Sequence, residues 1–513
     1  MALTTAALAA LAVLASLLVG CGGSGGNDSS GGSGEVPKSG GTLTVGQPEV
    51  ISLDPAAAVD GSSINVISQI MEPLYLADGE GKIEPWLATK ATTSKDQLTW
   101  TFQLRKGVKF SDGQPLTAED VAFSLETASQ GPNWAPLFEA FEKITATSPS
   151  TVQIKVSHPL PAMEALLSSY ATVVMPKNYG GVSAEEFAEH PVGTGPFALG
   201  TWQHGQELTL VANKGYWSPG QPYLDKVVFK AVADDNGRAQ QLRGGDLDVA
   251  AAPPYQQIAS LEGAPGVEVG EYALAFSRYL QFNAESALFK DARMREAVNL
   301  GIDREGIIDT SLSGHGELGG SFLSPAVPYH DTGIEAPARD VDKAKQLVAE
   351  AEKDGVDPSF TLVFEAGSTL QTLASQVIQQ DLEEVGFKVK LQSLEGATLL
   401  EKMSEGDYEA GILGLYPNVL DPSENVFFYI ATEGLFTKAD TTKLSKLAEE
   451  GSSVSASSKR QAIYDQIQEE VDKAHYTLTV SYEPWIWGFQ DDVVGFEVNP
   501  LNIAWFADVG FAK

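Results

Sequence analysis

Cysteine is nearly absent from this chain: Cys21 is the only one in 513 residues. That excludes an internal disulfide framework and any zinc site built on several thiolates. Histidine is scarce as well. The six residues His158, His190, His204, His315, His330 and His475 include no pair at the i, i+4 spacing of a zinc-binding helix, so no histidine metal centre or other cofactor site is expected. The body of the chain has no Gly-Xaa-Ser-Xaa-Gly elbow and no phosphate-binding Walker loop, which removes two common signs of an enzyme. Basic charge is in short supply, with 34 Lys and Arg against 68 Asp and Glu and a formal net charge of -34. Such a surface repels phosphate backbones and anionic headgroups, so nucleic acid is not an expected partner. Beyond the first twenty residues no apolar run approaches the length of a membrane span.

What is present begins with Ala6 to Val19, an almost uninterrupted run of small and aliphatic residues that stops at Gly20 and Cys21. The run is short for a bilayer span and reads as the core of a signal peptide over residues 1–20. The tetrad Leu18, Val19, Gly20, Cys21 resembles the bacterial lipobox, which implies that Cys21 is lipidated and the preceding peptide removed. A lone thiol at this one position fits consumption by acylation. Residues 21–39 are rich in Gly and Ser, with almost nothing apolar to bury, and are expected to form a disordered tether. About 18 such residues reach roughly 20–25 Å. The lipid is then the only membrane contact, placing the folded body at the outer face of the cytoplasmic membrane.

The remaining 475 or so residues exceed one core and should divide into two or three domains. The clearest unit is Ser359 to Gly414. Phe360 to Glu365 is rich in β-formers. Leu370, Leu373, Ala374, Val377, Ile378, Leu382 and Val385 then recur at helical spacing until Gly386 supplies a stop. Phe387, Val389 and Leu391 alternate as a strand, Leu399, Leu400 and Met403 mark a short helix, and Tyr408 to Leu413 is a further strand. Read in order this is βαβαβ and predicts a parallel sheet. Asp340 is placed to cap the helix before it. Upstream, Leu98 to Leu104 and Val108 to Phe110 read as strands around a Lys106, Gly107 turn, and Thr117 with Asp120 caps a helix from Ala118 to Ala128.

Several runs taken together resemble one family, the extracellular solute-binding proteins of family 5 that serve peptide- and nickel-type ABC importers. They are Gly40 to Val45 followed by Leu53, Asp54, Pro55; Phe102 to Val121 (FQLRKGVKFSDGQPLTAEDV); Pro191 to Phe197 (PVGTGPF); Asn213 to Trp217 (NKGYW); and Phe282, Asn283 with Phe289 to Asp303 (FKDARMREAVNLGID). The resemblance covers essentially the whole mature chain in order. It implies an α/β, two-lobed periplasmic-binding-protein clamshell of type II with an extra N-terminal subdomain. Lobe I would comprise residues 40–275 and 482–513, with the extra subdomain at about 61–195, and lobe II residues 276–481. Solute would favour the closed state because only that state contacts it from both lobes. The implied partners are a small or oligomeric solute and the permease and ATPase subunits of an ABC importer. The protein itself would be a monomer without catalytic chemistry. A surface receptor for a peptide signal and a secreted hydrolase remain as alternatives.

By family position the cleft is expected to be bordered by Gln47, Glu49 and Val50 after the first strand, by Tyr482 and Trp485 with Trp487, and by Gly414, Leu415, Tyr416, Asn418 and Asp421. In peptide-binding members the position of Asn418 carries an aspartate that pairs with the α-ammonium group. A neutral amide cannot supply that charge. The sequence therefore points away from ordinary free-amine peptides and toward an uncharged or sugar-like solute, with the aromatic residues available for stacking.

Overall fold

The β-rich run Ser359–Glu365 is a strand, and the computed structural model, which describes residues 37–131, 133–426 and 436–513, pairs it in parallel with Lys388–Leu394 and Ala410–Leu415. Helices Thr369–Glu384 and Gly396–Glu405 connect these strands. The first helix stops at the predicted glycine. Gly386 adopts φ +111°, which a side chain would resist, and the Phe387 N–H reaches back to the Leu382 carbonyl at 3.0 Å. Ser277–Phe282, Thr477–Tyr482 and Glu317–Leu318 extend the array to the six-stranded sheet of lobe II. Helices pack their apolar stripes on it, bringing Val298, Leu347, Ile378 and Leu382 against Leu362 and Ile412. Each such buried side chain contributes about 1.5–3 kcal/mol. Asp340 caps the helix Val341–Lys353 by accepting the Lys343 N–H at 2.9 Å.

Lobe I is built on a seven-stranded sheet. Thr42–Gln47 lies inside it, parallel to Lys226–Ala231 and Val249–Ala251, and the other pairings are antiparallel. Trp487 on strand Trp485–Gln490 is buried among Val45, Phe229 and Phe506 in its core. A four-stranded antiparallel sheet within residues 88–156, covered by helix Ala118–Gln130, forms the extra subdomain around Phe102, Leu125 and Ile154. At that helix's start, Asp120 Oδ2 accepts both the N–H and the hydroxyl of Thr117, at 2.7 and 2.6 Å. The chain passes between the two large sheets at residues 273–276 and 483–484.

Two expectations need revision. Val108 to Phe110 is not a strand. Turns on either side leave three residues, which make a single bridge from Lys109 to Pro115 while Val108 and Phe110 enter the subdomain core. The folded body also starts earlier than the predicted tether end, because the Lys38 N–H already donates to the Phe511 carbonyl at 2.9 Å. The expected signal peptide, Cys21 and the rest of the expected tether lie outside the described residues.

Candidate functional site

Loops beyond the carboxyl ends of parallel strands are where open α/β sheets present ligands. In lobe I the strand Val249–Ala251 runs into Ala252–Gln256, and in lobe II Ser359–Glu365 runs into Gly367–Leu370. These loops face one another across a cavity of about 260 Å³ completed by Asp235, Ser311, Trp485 and Ile486. Gln256 Nε2 donates to the Ser311 carbonyl at 3.2 Å, linking the lobes at its edge. The helix Thr369–Glu384 begins at this cavity, with no acidic residue in its first turn to oppose the positive end of its dipole.

Tyr416 follows the last parallel strand and is 48% exposed. Its ring stacks on Phe276 at 4.3 Å and meets the edge of Trp485 at 6.1 Å. Aromatic side chains beside both chain crossings thus form one cluster, which reaches the cavity through Trp485. Behind them Arg278 and Glu483 make a bidentate ion pair, with Nε and Nη2 at 2.9 and 2.8 Å from the two carboxylate oxygens. Burial alone would lower the Arg278 pKa, but the facing Glu483 carboxylate outweighs it and the net direction is upward. Arg278 also lies 4.8 Å from the Phe276 ring centre. Gly414 is required by this packing, since a Cβ there would come within 2.3 Å of the Phe276 ring.

Of the residues expected from sequence, Trp485 lines the 260 Å³ cavity; Tyr416 meets the edge of Trp485 and Gly414 packs under Phe276, and neither of these two lines it. The Leu415 backbone pairs with Ser277. The others are placed differently. Gln47 is buried and donates from Nε2 to the Ser62 carbonyl at 3.3 Å, Val50 belongs to the lobe I core, and exposed Glu49 sits beside the hairpin around Gly205. None of these three lines the 260 Å³ cavity. Tyr482 is buried, with its hydroxyl donating to the Ser321 carbonyl at 2.7 Å. Asp421 is fully engaged inside lobe II: its two oxygens accept from Arg460 Nη1 and Nη2 at 2.7 and 2.8 Å.

Asn418 sits at a junction of the extra subdomain and lobe II. Its Oδ1 accepts the Tyr170 hydroxyl at 3.0 Å, and its Nδ2 donates to Glu424 Oε1 at 2.6 Å. Glu424 Oε2 accepts the N–H groups of Asn418 and Val419, both at 2.8 Å. Burial pushes the Glu424 carboxyl up to about 7 in spite of these donors. Sequence reasoning missed Tyr170, Tyr255, Arg278 and Glu424. Arg278 lies in the largely buried strand Ser277–Phe282, where its charge needs a partner that the sequence alone does not identify.

The motifs that carry the resemblance hold the scaffold. Gly193 and Gly195 press on the end of helix Gly61–Ile70 so closely that Cβ atoms would fall 1.9 and 2.3 Å from the Ile70 and Gln69 carbonyl oxygens. Tyr216 and Trp217 of NKGYW hydrogen-bond Glu72. Arg295 of the FKDARMREA run donates to the Phe289 and Ala474 carbonyls at 2.5 and 2.9 Å. Among the described residues no cluster of three metal-ligating side chains occurs, and no helix is long and apolar enough to cross a membrane.

Residues 82–435 match the family profile of the bacterial extracellular solute-binding proteins, family 5 middle. The chain is 31% identical to the glutathione-binding protein GsiB of Escherichia coli O1:K1 / APEC over 372 residues, covering 71% of this chain and 72% of that protein. It is 31% identical to the probable D,D-dipeptide-binding periplasmic protein DdpA of Escherichia coli K12 over 475 residues, covering 88% and 90%. Its fold superposes on the oligopeptide-binding protein AppA of Bacillus subtilis in complex with a nonapeptide at a TM-score of 0.78 and 26% identity, covering 93% and 100%. The chain belongs to the bacterial extracellular solute-binding proteins of family 5.

Proposed function

We propose that this protein captures a peptide-like solute in the cleft between its lobes and delivers it to an ABC importer, without transforming it. The observation that carries this is the cavity at the carboxyl ends of the two sheets, walled by loops of both lobes and by Trp485. A ligand there touches both lobes at once, so its binding free energy favours closure. With the expected bounds moved to the two chain crossings, lobe I is assigned residues 38–272 and 485–513, and lobe II residues 277–482. Tyr416 and Trp485 offer rings to a peptide group or side chain, and the donor-rich start of helix Thr369–Glu384 favours a negative end. The reading is supported by the relatives, whose names state glutathione and D,D-dipeptide binding.

Calorimetric titration with a panel of short peptides, combined with small-angle scattering, tests it. A binding peptide should contract the particle, and Trp485→Ala should weaken that binding about 10- to 100-fold while leaving the thermal midpoint within a few degrees. A panel in which no peptide binds, or binding with no change in particle dimensions, defeats the proposal.

We further propose that Cys21 is acylated and residues 22–36 tether the body to the membrane. Cys21→Ser should move the protein from the membrane fraction to the soluble extracytoplasmic fraction, with loss of the lipid mass on the amino-terminal peptide. An unmodified amino-terminal cysteine in the native protein would refute this.

A further inference from the structure

A second, larger cavity of about 410 Å³ lies between the extra subdomain and lobe II. Its walls are mostly apolar, with Leu137, Leu160, Ala162 and Leu166 on the subdomain side and Val419 and Ala448 on the other. One wall is Glu424, which is 5% exposed. Its carboxylate has three N–H donors but no ion-pair partner among the described residues. The charge of neighbouring Asp421, by contrast, is matched by Arg460 at 2.7 Å. Exposed Glu139 and Glu449 also line the cavity, and among the described residues no lysine, arginine or histidine does. A buried carboxylate without a counter-charge is costly, and either protonation or a cation relieves that cost.

Trp485 of the first cavity meets the Tyr416 ring at 6.1 Å, and a short piece of chain leads from Tyr416 to the second cavity. Tyr416 stands at the aromatic cluster and Val419 lines the second cavity. Three residues span at most about 10 Å, within reach of a few peptide units. Resting on the solute-capture reading above, we infer that Glu424 and this cavity form a subsite for a cationic group on an apolar stem, an ammonium or guanidinium borne by the captured solute. Asn418 then acts as the neutral relay that holds the Glu424 carboxylate, and the negative charge absent from position 418 is supplied six residues later. The assignment reverses the expectation drawn from Asn418 alone: the site selects for amine-bearing solutes.

The test uses the full chain and three synthetic tetrapeptides of alanine: one with a free amino terminus, one N-acetylated, and one N-acetylated with lysine first. Titration of the wild type should show at least one cation-bearing peptide binding about 10-fold or more tighter than the acetylated tetra-alanine. Glu424→Gln should reduce that preference to within about twofold, and Glu424→Asp, which keeps the charge, should restore part of it. Equal wild-type affinity for all three, or a preference that survives Glu424→Gln, overturns the subsite and leaves solute capture standing. If no tetrapeptide binds, agmatine alone decides by saturation-transfer NMR. A wild-type signal lost in Glu424→Gln supports the subsite even as the peptide reading fails, and equal or absent signals overturn it. Should Glu424→Gln not fold, the wild-type preference among the three peptides decides.

Discussion

Arg460→Ala is expected to destabilise lobe II by about 3–5 kcal/mol. Its guanidinium is 4% exposed and Asp421 5%, and the two meet through parallel bonds of 2.7 and 2.8 Å. Arg460 Nε further donates to the Gly451 carbonyl at 2.8 Å, so one side chain ties the loop after the last parallel strand to two helices. The guanidinium also sits 5.2 and 5.4 Å from the rings of Tyr329 and Tyr464. Truncation leaves a carboxylate in a low-dielectric interior with no counter-charge, and that unpaired charge, rather than the worth of the pair, sets the cost. Arg460→Met combined with Asp421→Leu removes both charges and should therefore lie within about 1–2 kcal/mol of the wild type. Denaturant titration of the single and double variants measures both. The same proteins distinguish a structural Asp421 from a ligand-binding one: solute affinity of the folded double variant should stay within about threefold of the wild type. A large affinity loss with unchanged stability would return Asp421 to the site.

Asp421 illustrates what was and was not legible in the sequence. The Ser359 to Gly414 unit could be read because strand and helix periods are local properties, and the glycine stop at Gly386 acts through its own φ. The place of Tyr416 just after a parallel strand was readable for the same reason, and its ring meets Trp485 at 6.1 Å. The direction in which a loop side chain points is instead set by partners distant in sequence. Asp421 answers to Arg460, and Tyr482 to the Ser321 carbonyl, 161 residues earlier. Gln47 and Val50 are drawn inward by Ser62 and the lobe I core. Glu424 was hidden by numbers, since in a chain with 68 acidic residues most are solvated surface and nothing local marks the buried one. Similarly the family motifs announced the fold while saying little about the solute, because their residues brace helix ends and one buried acid.

That acid, Glu72, carries the second large effect. It is fully buried and accepts hydrogen bonds from Trp86 Nε1 at 2.7 Å, from the Tyr216 hydroxyl at 2.8 Å and from Trp217 Nε1 at 3.1 Å. Arg105 stacks over Trp217 at 4.2 Å, and Trp86 packs edge-on against Trp217 and Trp505. Glu72→Ala strands three buried donors and opens a cavity, so about 3–5 kcal/mol should be lost. The acid–base behaviour separates charge from hydrogen bonding. Burial raises the Glu72 carboxyl to about 7, above its ordinary 4.5. The folded state then holds this proton more tightly than the unfolded chain does. Its contribution is most favourable below pH 4.5, declines as pH rises between 4.5 and 7, and is constant above that, a total change of about 3 kcal/mol. Glu72→Gln keeps an oxygen acceptor for Trp86 and Tyr216 but has no such titration. The stability of Glu72→Gln minus that of the wild type should therefore climb by about 3 kcal/mol between pH 4.5 and 7.5, and other titrating groups, Glu424 among them, cancel in the difference. Denaturant unfolding of both proteins across that range provides the measurement, and a flat difference would mean that Glu72 titrates at its ordinary value in the folded protein.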